Sequence, residues 1–134
     1  MHKKDYLQRR FEEFGKVLAL ILTFKRDNDW EKFEKEIAEA SQQFAGLDLD
    51  ETAKLDEAGF AQIISRPGFT QEQKKILATL LFEKMSLYLE RGDAQNVQLL
   101  KEKCLRLYQH LQDNFTDNEF DLDVYYKLAF LNKM

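Results

Sequence analysis

Few side chains in this sequence could carry chemistry. Cys104 is the single cysteine, and His2 and His110 are the two histidines. A cysteine becomes a nucleophile when a nearby base or cation holds it as thiolate. His110 stands six residues after Cys104, on a different side of a helix. Cys104 therefore reads as a small buried core residue. Metal binding needs converging ligands, and neither His-Glu-x-x-His, nor Glu-x-x-His, nor a cysteine pair occurs. Carboxylates are plentiful, among them Glu12, Glu13, Glu34, Glu36, Asp48 and Asp50. On helices they alternate with lysines and arginines and read as solvated faces. No glycine-rich phosphate loop is present. The residues thus point to a protein that is not an enzyme, with no catalytic group, metal site or cofactor.

Composition bounds the rest. A chain of 134 residues is expected to form one domain and to bury roughly two-thirds of its unfolded surface. One proline and five glycines favour long regular elements, and eleven phenylalanines an aromatic core. A net charge of −4 and a pI near 5.3 argue against nucleic acid as a partner. The longest apolar run, Val17 to Leu22, is far short of the twenty or so residues of a membrane span. Met1 to Arg10 is polar and basic and does not read as a secretory signal. With one unpaired cysteine, the expected location is cytoplasmic.

The elements that must position these residues read as helices. Thr70-Gln71-Glu72-Gln73 is a capping box. Apolar residues then recur at Ile76, Leu77, Leu80, Leu81, Met85, Tyr88 and Leu89, in helical steps. Gly92 suits a left-handed helix stop and Asp93 a cap for the next helix, whose stripe is Val97, Leu100, Cys104, Tyr108 and Leu111. So short a connection makes residues 70–112 an antiparallel hairpin. An earlier hairpin spans about 5–45. Asp5 is its candidate first cap, and the first helix runs to about Arg26. Apolar residues nearly encircle the second half of that helix, which predicts a central position. Asn28 is the candidate cap of the second helix, with Trp30, Phe33, Ile37, Ala40 or Ser41, and Phe44 on its face and Gly46 as stop. Residues 46–69 form a spacer: a loop through Leu47-Asp48-Leu49-Asp50, then a short helix capped by Asp56 and ended at Arg66-Pro67-Gly68. A capping helix at about 121–132 carries Leu122, Tyr125, Leu128, Ala129 and Leu131. The fold expected is all-α, with five to six helices.

Phe24-Asn28-Asp29-Ala40 and Tyr88-Gly92-Asp93-Cys104 repeat at a constant offset. This pattern of aromatic, turn residue, aspartate and small residue resembles a tetratricopeptide-type repeat. The match lacks the closing proline and places Met85 and Val97, and Ile21 and Phe33, where small residues are expected. The order of the whole chain, with Asp5-Tyr6-Leu7-Gln8-Arg9 and Gly46-Leu47-Asp48-Leu49, also resembles a bacterial family of small all-helical proteins. That resemblance implies a fold and a bacterial source, and brings no activity, substrate or partner.

In tetratricopeptide arrays that bind peptide tails, the first helix of each hairpin turns polar residues into the groove. The corresponding positions here are Leu18 and Leu22, and Phe82 and Ser86, with Leu89 beside them. Three of the four are apolar, so this face cannot grip a peptide carboxylate as those arrays do. It is expected to be covered by the spacer helix (Phe60, Ile63, Ile64), by the last helix, or by a second subunit. The ends carry opposite charge: Lys3, Lys4, Arg9 and Arg10 against Asp113, Asp117, Glu119, Asp121 and Asp123. The sequence therefore favours a protein–protein interaction or assembly module. A structural homodimer or larger homo-oligomer using that apolar face is one alternative. A small-ligand binder or enzyme with an interhelical pocket is the other.

Overall fold

The computed structural model describes residues 3–115 and 121–134. His2, Asp117 and Glu119 lie outside the described residues, as do the side chains of Lys3, Lys4, Asp5 and Leu7. Seven α-helices and no strand are present among the described residues. They are α1 (Lys3–Arg26), α2 (Trp30–Ala40), α3 (Leu49–Lys54), α4 (Glu57–Ile64), α5 (Gln71–Glu90), α6 (Ala94–Asp113) and α7 (Leu122–Lys133). A wide π turn, Ser41–Ala45, continues α2. The expected five to six helices are one short because Asp48 caps α3, accepting from the Glu51 N–H at 2.9 Å. A helix of six residues is too brief to show a periodicity. Leu47 and Leu49, expected in a loop, are both buried, Leu49 as the first residue of α3.

The two hairpin turns are built alike. In the second, Gly92 is left-handed (φ 69°), the Asp93 N–H donates to the Tyr88 carbonyl, and the Gly92 N–H donates to that of Leu89. In the first, Asn28 takes the left-handed position (φ 57°), with bonds from Asp29 to Phe24 and from Asn28 to Lys25. These bonds close the helix C-terminus and release the chain into the next helix. Asn28 is thus the stop of α1 and not the cap of α2. Asp29 is the cap, accepting from the Lys32 N–H at 3.3 Å. Asparagine fits because it tolerates left-handed backbone better than other side chains do.

The capping box at Thr70 and Gln73 forms as its residues dictate, and it starts the helix that occupies the centre. Ten of the twenty residues of α5 are buried: Ile76, Leu77, Ala78, Leu80, Leu81, Phe82, Glu83, Lys84, Met85 and Leu87. Helix α6 packs along it, and α1, α2, α3 and the π turn also touch it. The central position expected for α1 belongs to α5. Among the described side chains of α1 only Phe14 and Ile21 are fully buried, while Leu20 and Leu22 are more than 40% exposed. Helix α1 packs mainly on α2, along one side, so its apolar girdle exceeds what its neighbours cover.

Charges on α5 tie its neighbours to it. The buried Glu83 carboxylate accepts from Lys25 of α1 at 3.0 Å. The buried Lys84 ammonium pairs with Asp50 of α3. Arg91, which caps α5, reaches Glu34 of α2 at 3.2 Å. Lys75 pairs with Asp121, the N-cap of α7, and at 3.3 Å with Asp123. A buried carboxylate stripped of its partner is costly, whereas a half-exposed pair is worth little. Lys25→Ala should therefore destabilise by about 3 kcal/mol, and Arg91→Ala by about 1 kcal/mol or less, in urea denaturation. Equal losses would mean that Glu83 finds another partner.

Glycine positions give a second contrast. Gly92 needs its positive φ, so Gly92→Ala should cost about 1 kcal/mol or more. Gly15 is helical and exposed, with no atom within 4 Å of the place a Cβ would take. It is not a close helix crossing. Gly15→Ala should instead stabilise by up to about 1 kcal/mol. Thermal melts of the two variants should move in opposite directions.

Candidate functional site

Helices α1, α5 and α7 share one face of the molecule. Phe11 of α1, Lys75 of α5, and Asp121 and Val124 at the start of α7 line a single depression of about 190 Å³. Further along α5, Phe82 meets Phe130 of α7 edge to face, with ring centroids 5.6 Å apart. The Lys127 ammonium sits over the Phe82 ring, 4.1 Å from its centroid. On the opposite side, the Lys25 ammonium of α1 donates to Glu83 and to the Ser86 hydroxyl at 3.3 Å. Ser86 in turn donates to the Phe82 carbonyl, one helical turn back.

The five residues singled out from the sequence divide on this face. Phe82 is buried beneath α7. Leu18 packs half-buried against the core, and Ser86 is half-buried under Lys25. Leu22 and Leu89 are 42% and 46% exposed. Leu89 borders a separate depression of about 370 Å³ with Tyr88, Val97 and Met134. The spacer helix takes no part here, since Phe60 packs beside Lys103 of α6.

Helix α7 buries the second half of its expected face, Leu128 and Leu131, and not the first. Its buried seam is Val124, Leu128 and Leu131, and Leu122 and Tyr125 are exposed. The difference is confined to the first turn, where Val124 enters the core beside the Asp121 cap that Lys75 binds. The register leaves Tyr126 and Phe130 on the outside, at 61% and 49% exposure. Sequence reasoning missed these two aromatics, although their spacing of four was a usable signal.

The titratable groups are arranged for inertness. Burial pushes the Cys104 thiol far up, although the Lys127 charge pulls the other way. A thiol held protonated in this way is a poor nucleophile. Burial likewise raises the Tyr108 phenol. Its buried hydroxyl has no hydrogen-bond partner among the described residues. His110 lies 3.2 Å from the Lys74 ammonium, and burial and that charge together lower its pKa. No group of three or more His, Cys, Asp or Glu side chains among the described residues is placed to hold a metal ion. No described helix is long and apolar enough to cross a membrane. The oppositely charged ends do not pair through their described members. Arg10 binds Glu13 and the Gln43 carbonyl, and Asp121 and Asp123 bind Lys75.

The chain matches no protein-family model, and no curated protein or solved structure matches it.

The α5–α7 latch is pH-dependent. Burial alone would raise the Asp121 pKa, but the Lys75 hydrogen bond and charge, with two backbone N–H donors, hold it below the usual aspartate value. A depressed carboxylate stabilises the fold above its unfolded pKa, and that stability is lost as pH falls through the folded value. Asp121→Asn keeps a good cap and removes the charge. Its melting temperature should fall below that of the native chain near about pH 6, and the gap should shrink below about pH 3.5. A gap that stays constant with pH would place the effect in the cap and not in the ion pair.

Proposed function

We propose that this chain is a non-enzymatic protein–protein interaction or assembly module of the bacterial cytoplasm, built as a tetratricopeptide-like array of helical hairpins. The observation that carries the reading is the exposed apolar face of α1, α5 and α7. Leu22, Leu89, Tyr126 and Phe130 are each 42–61% exposed there. Phe130 meets Phe82 edge to face, and the Lys127 ammonium lies over the Phe82 ring. Monomers rarely expose large contiguous apolar patches without a partner for them. Aromatic side chains beside a cation are also the residue types enriched where proteins meet. The inert Cys104 and Tyr108 favour binding over catalysis. The repeated turns at Asn28 and Gly92 support the array, and the single free cysteine fits a reducing compartment.

A homo-oligomer using the same face is the second reading, favoured by the exposure of Leu22, Tyr126 and Phe130. One pair of substitutions tests both. Leu22 and Phe130 are exposed, so the double variant Leu22→Asp, Phe130→Asp should fold. Light scattering over a dilution series and affinity capture should then be compared with the native chain. Loss of a captured protein in the variant supports the module. A native oligomer that becomes a monomer supports self-assembly. A native monomer that captures the same proteins as the variant removes the face from function.

A further inference from the structure

Helix α7 is apolar on two sides. Val124, Leu128 and Leu131 enter the core. Leu122, Tyr126, Phe130 and Met134 follow one another in steps of four on the outer side, each 39–61% exposed. The helix packs mainly on α6, and this outer stripe stays open. Local contacts hold it in place. Tyr125 meets Tyr126 edge to face, with ring centroids 5.6 Å apart, and the Lys101 ammonium donates to the Met134 carbonyl at 3.0 Å.

Two charged residues share that side, one near each end. Asp123 and Lys133 are both exposed. At 3.6 residues per turn, they and the four apolar residues fall within a sector of about 120°. Lys75 at 3.3 Å and Lys127 at 4.0 Å hold Asp123 on its inner flank, yet half of its side chain remains in solvent. The Lys133 ammonium has no hydrogen bond or ion pair among the described residues. The six residues are also placed symmetrically about Leu128. Leu122 and Met134 each lie six residues from it, Asp123 and Lys133 five, and Tyr126 and Phe130 two. A copy of this helix reversed end to end sets apolar residues opposite apolar ones and lysine opposite aspartate.

We propose that two copies of this chain pair through α7, the helices antiparallel about a two-fold axis level with Leu128. Tyr126 then packs on the partner's Phe130, Leu122 on the partner's Met134, and Lys133 binds the partner's Asp123. A crossing of about 20° keeps both ends of such short helices in contact. The patch is complementary to itself, so the pair closes and does not extend into a fibre. A lipid surface fits less well, because Asp123 stands within the stripe. A different protein would have to supply the same apolar and charged residues at the same spacing, which this chain already carries. The proposal rests on reading the exposed apolar face as a binding surface, and it assigns only the α7 part. Leu22 and Leu89 lie outside the pairing.

Sedimentation equilibrium of the full chain over a concentration series should show a monomer–dimer equilibrium. Amide NMR shifts on dilution should concentrate in α7. Lys133→Glu sets like charges together at both ends and should weaken the dimer about tenfold or more. Asp123→Lys should do the same. An equimolar mixture of the two variants restores opposite charges at both ends and should regain dimers of native strength. Phe130→Asp should give a monomer, and Leu22→Asp should leave the dimer intact. A native chain that stays monomeric, dilution shifts centred outside α7, or a mixture no tighter than its parts would overturn the proposal. The native dilution series decides by itself if Asp123→Lys, which borders Lys75, does not fold. A native monomer that captures a protein through Phe130 would end the pairing and leave the interaction module standing. A dimer that survives in the double variant Leu22→Asp, Phe130→Asp would remove the face from both.

Discussion

The structure depends on the burial of charge along α5. A helix covered on several sides cannot leave Glu83 and Lys84 unpaired, because removing ions from water without counter-charges is costly. Three neighbours supply charged partners to α5. Lys25 comes from α1, Asp50 from α3, and Asp121 from the start of α7, where it meets Lys75. These pairs add little net stability compared with apolar substitutes. They do define where each neighbour must sit, since a shift of one helical turn would strand a buried ion. The apolar contacts supply the bulk of the folding energy, and the ion pairs choose among similar ways of packing.

The same logic explains the spacer. Residues 46–69 could have been a flexible strap between hairpins. Instead the Ser41 hydroxyl donates to the Leu47 carbonyl at 2.7 Å, which draws the chain inward after the left-handed Gly46. Asp48 then caps α3, and Asp56 caps α4. Leu49, Ala53, Phe60 and Ile64 enter the core from these two short helices. Placing α4 beside α6 creates the wall on which Lys103 faces Phe60.

The exposed apolar face has a different origin. Helix α7 covers Phe82 but is too narrow to cover what flanks it. Phe130 gives one edge of its ring to Phe82 and leaves half of its surface outside. Leu22 is on a helix whose apolar girdle is wider than its contact with α2 and α5. The exposed apolar surface is what remains after an all-round apolar helix has been placed at the edge of a bundle.

Much of the local structure follows from the sequence alone, because caps and stops are decided within a few residues. Thr70 with Gln73, Asp93, Asp56 and Gly92 act as their types require, since each bond is made to backbone three to five residues away. The stripe of α6 from Leu100 to Leu111 is equally local. Asn28 was legible only by analogy with Gly92, because asparagine serves as cap and as left-handed stop alike. Four things were decided by tertiary structure. Helix α3 is too short to announce itself by period. The first turn of α7 offers Leu122, Val124 and Tyr125 to the core, and packing beside the Lys75–Asp121 pair buries Val124. The centre went to α5 and not α1, because burial depends on how many neighbours surround a helix and not on how apolar it is. Lys103 and Glu83 read as surface charges in sequence, for charge pattern reports residue type while burial is a property of the packed whole.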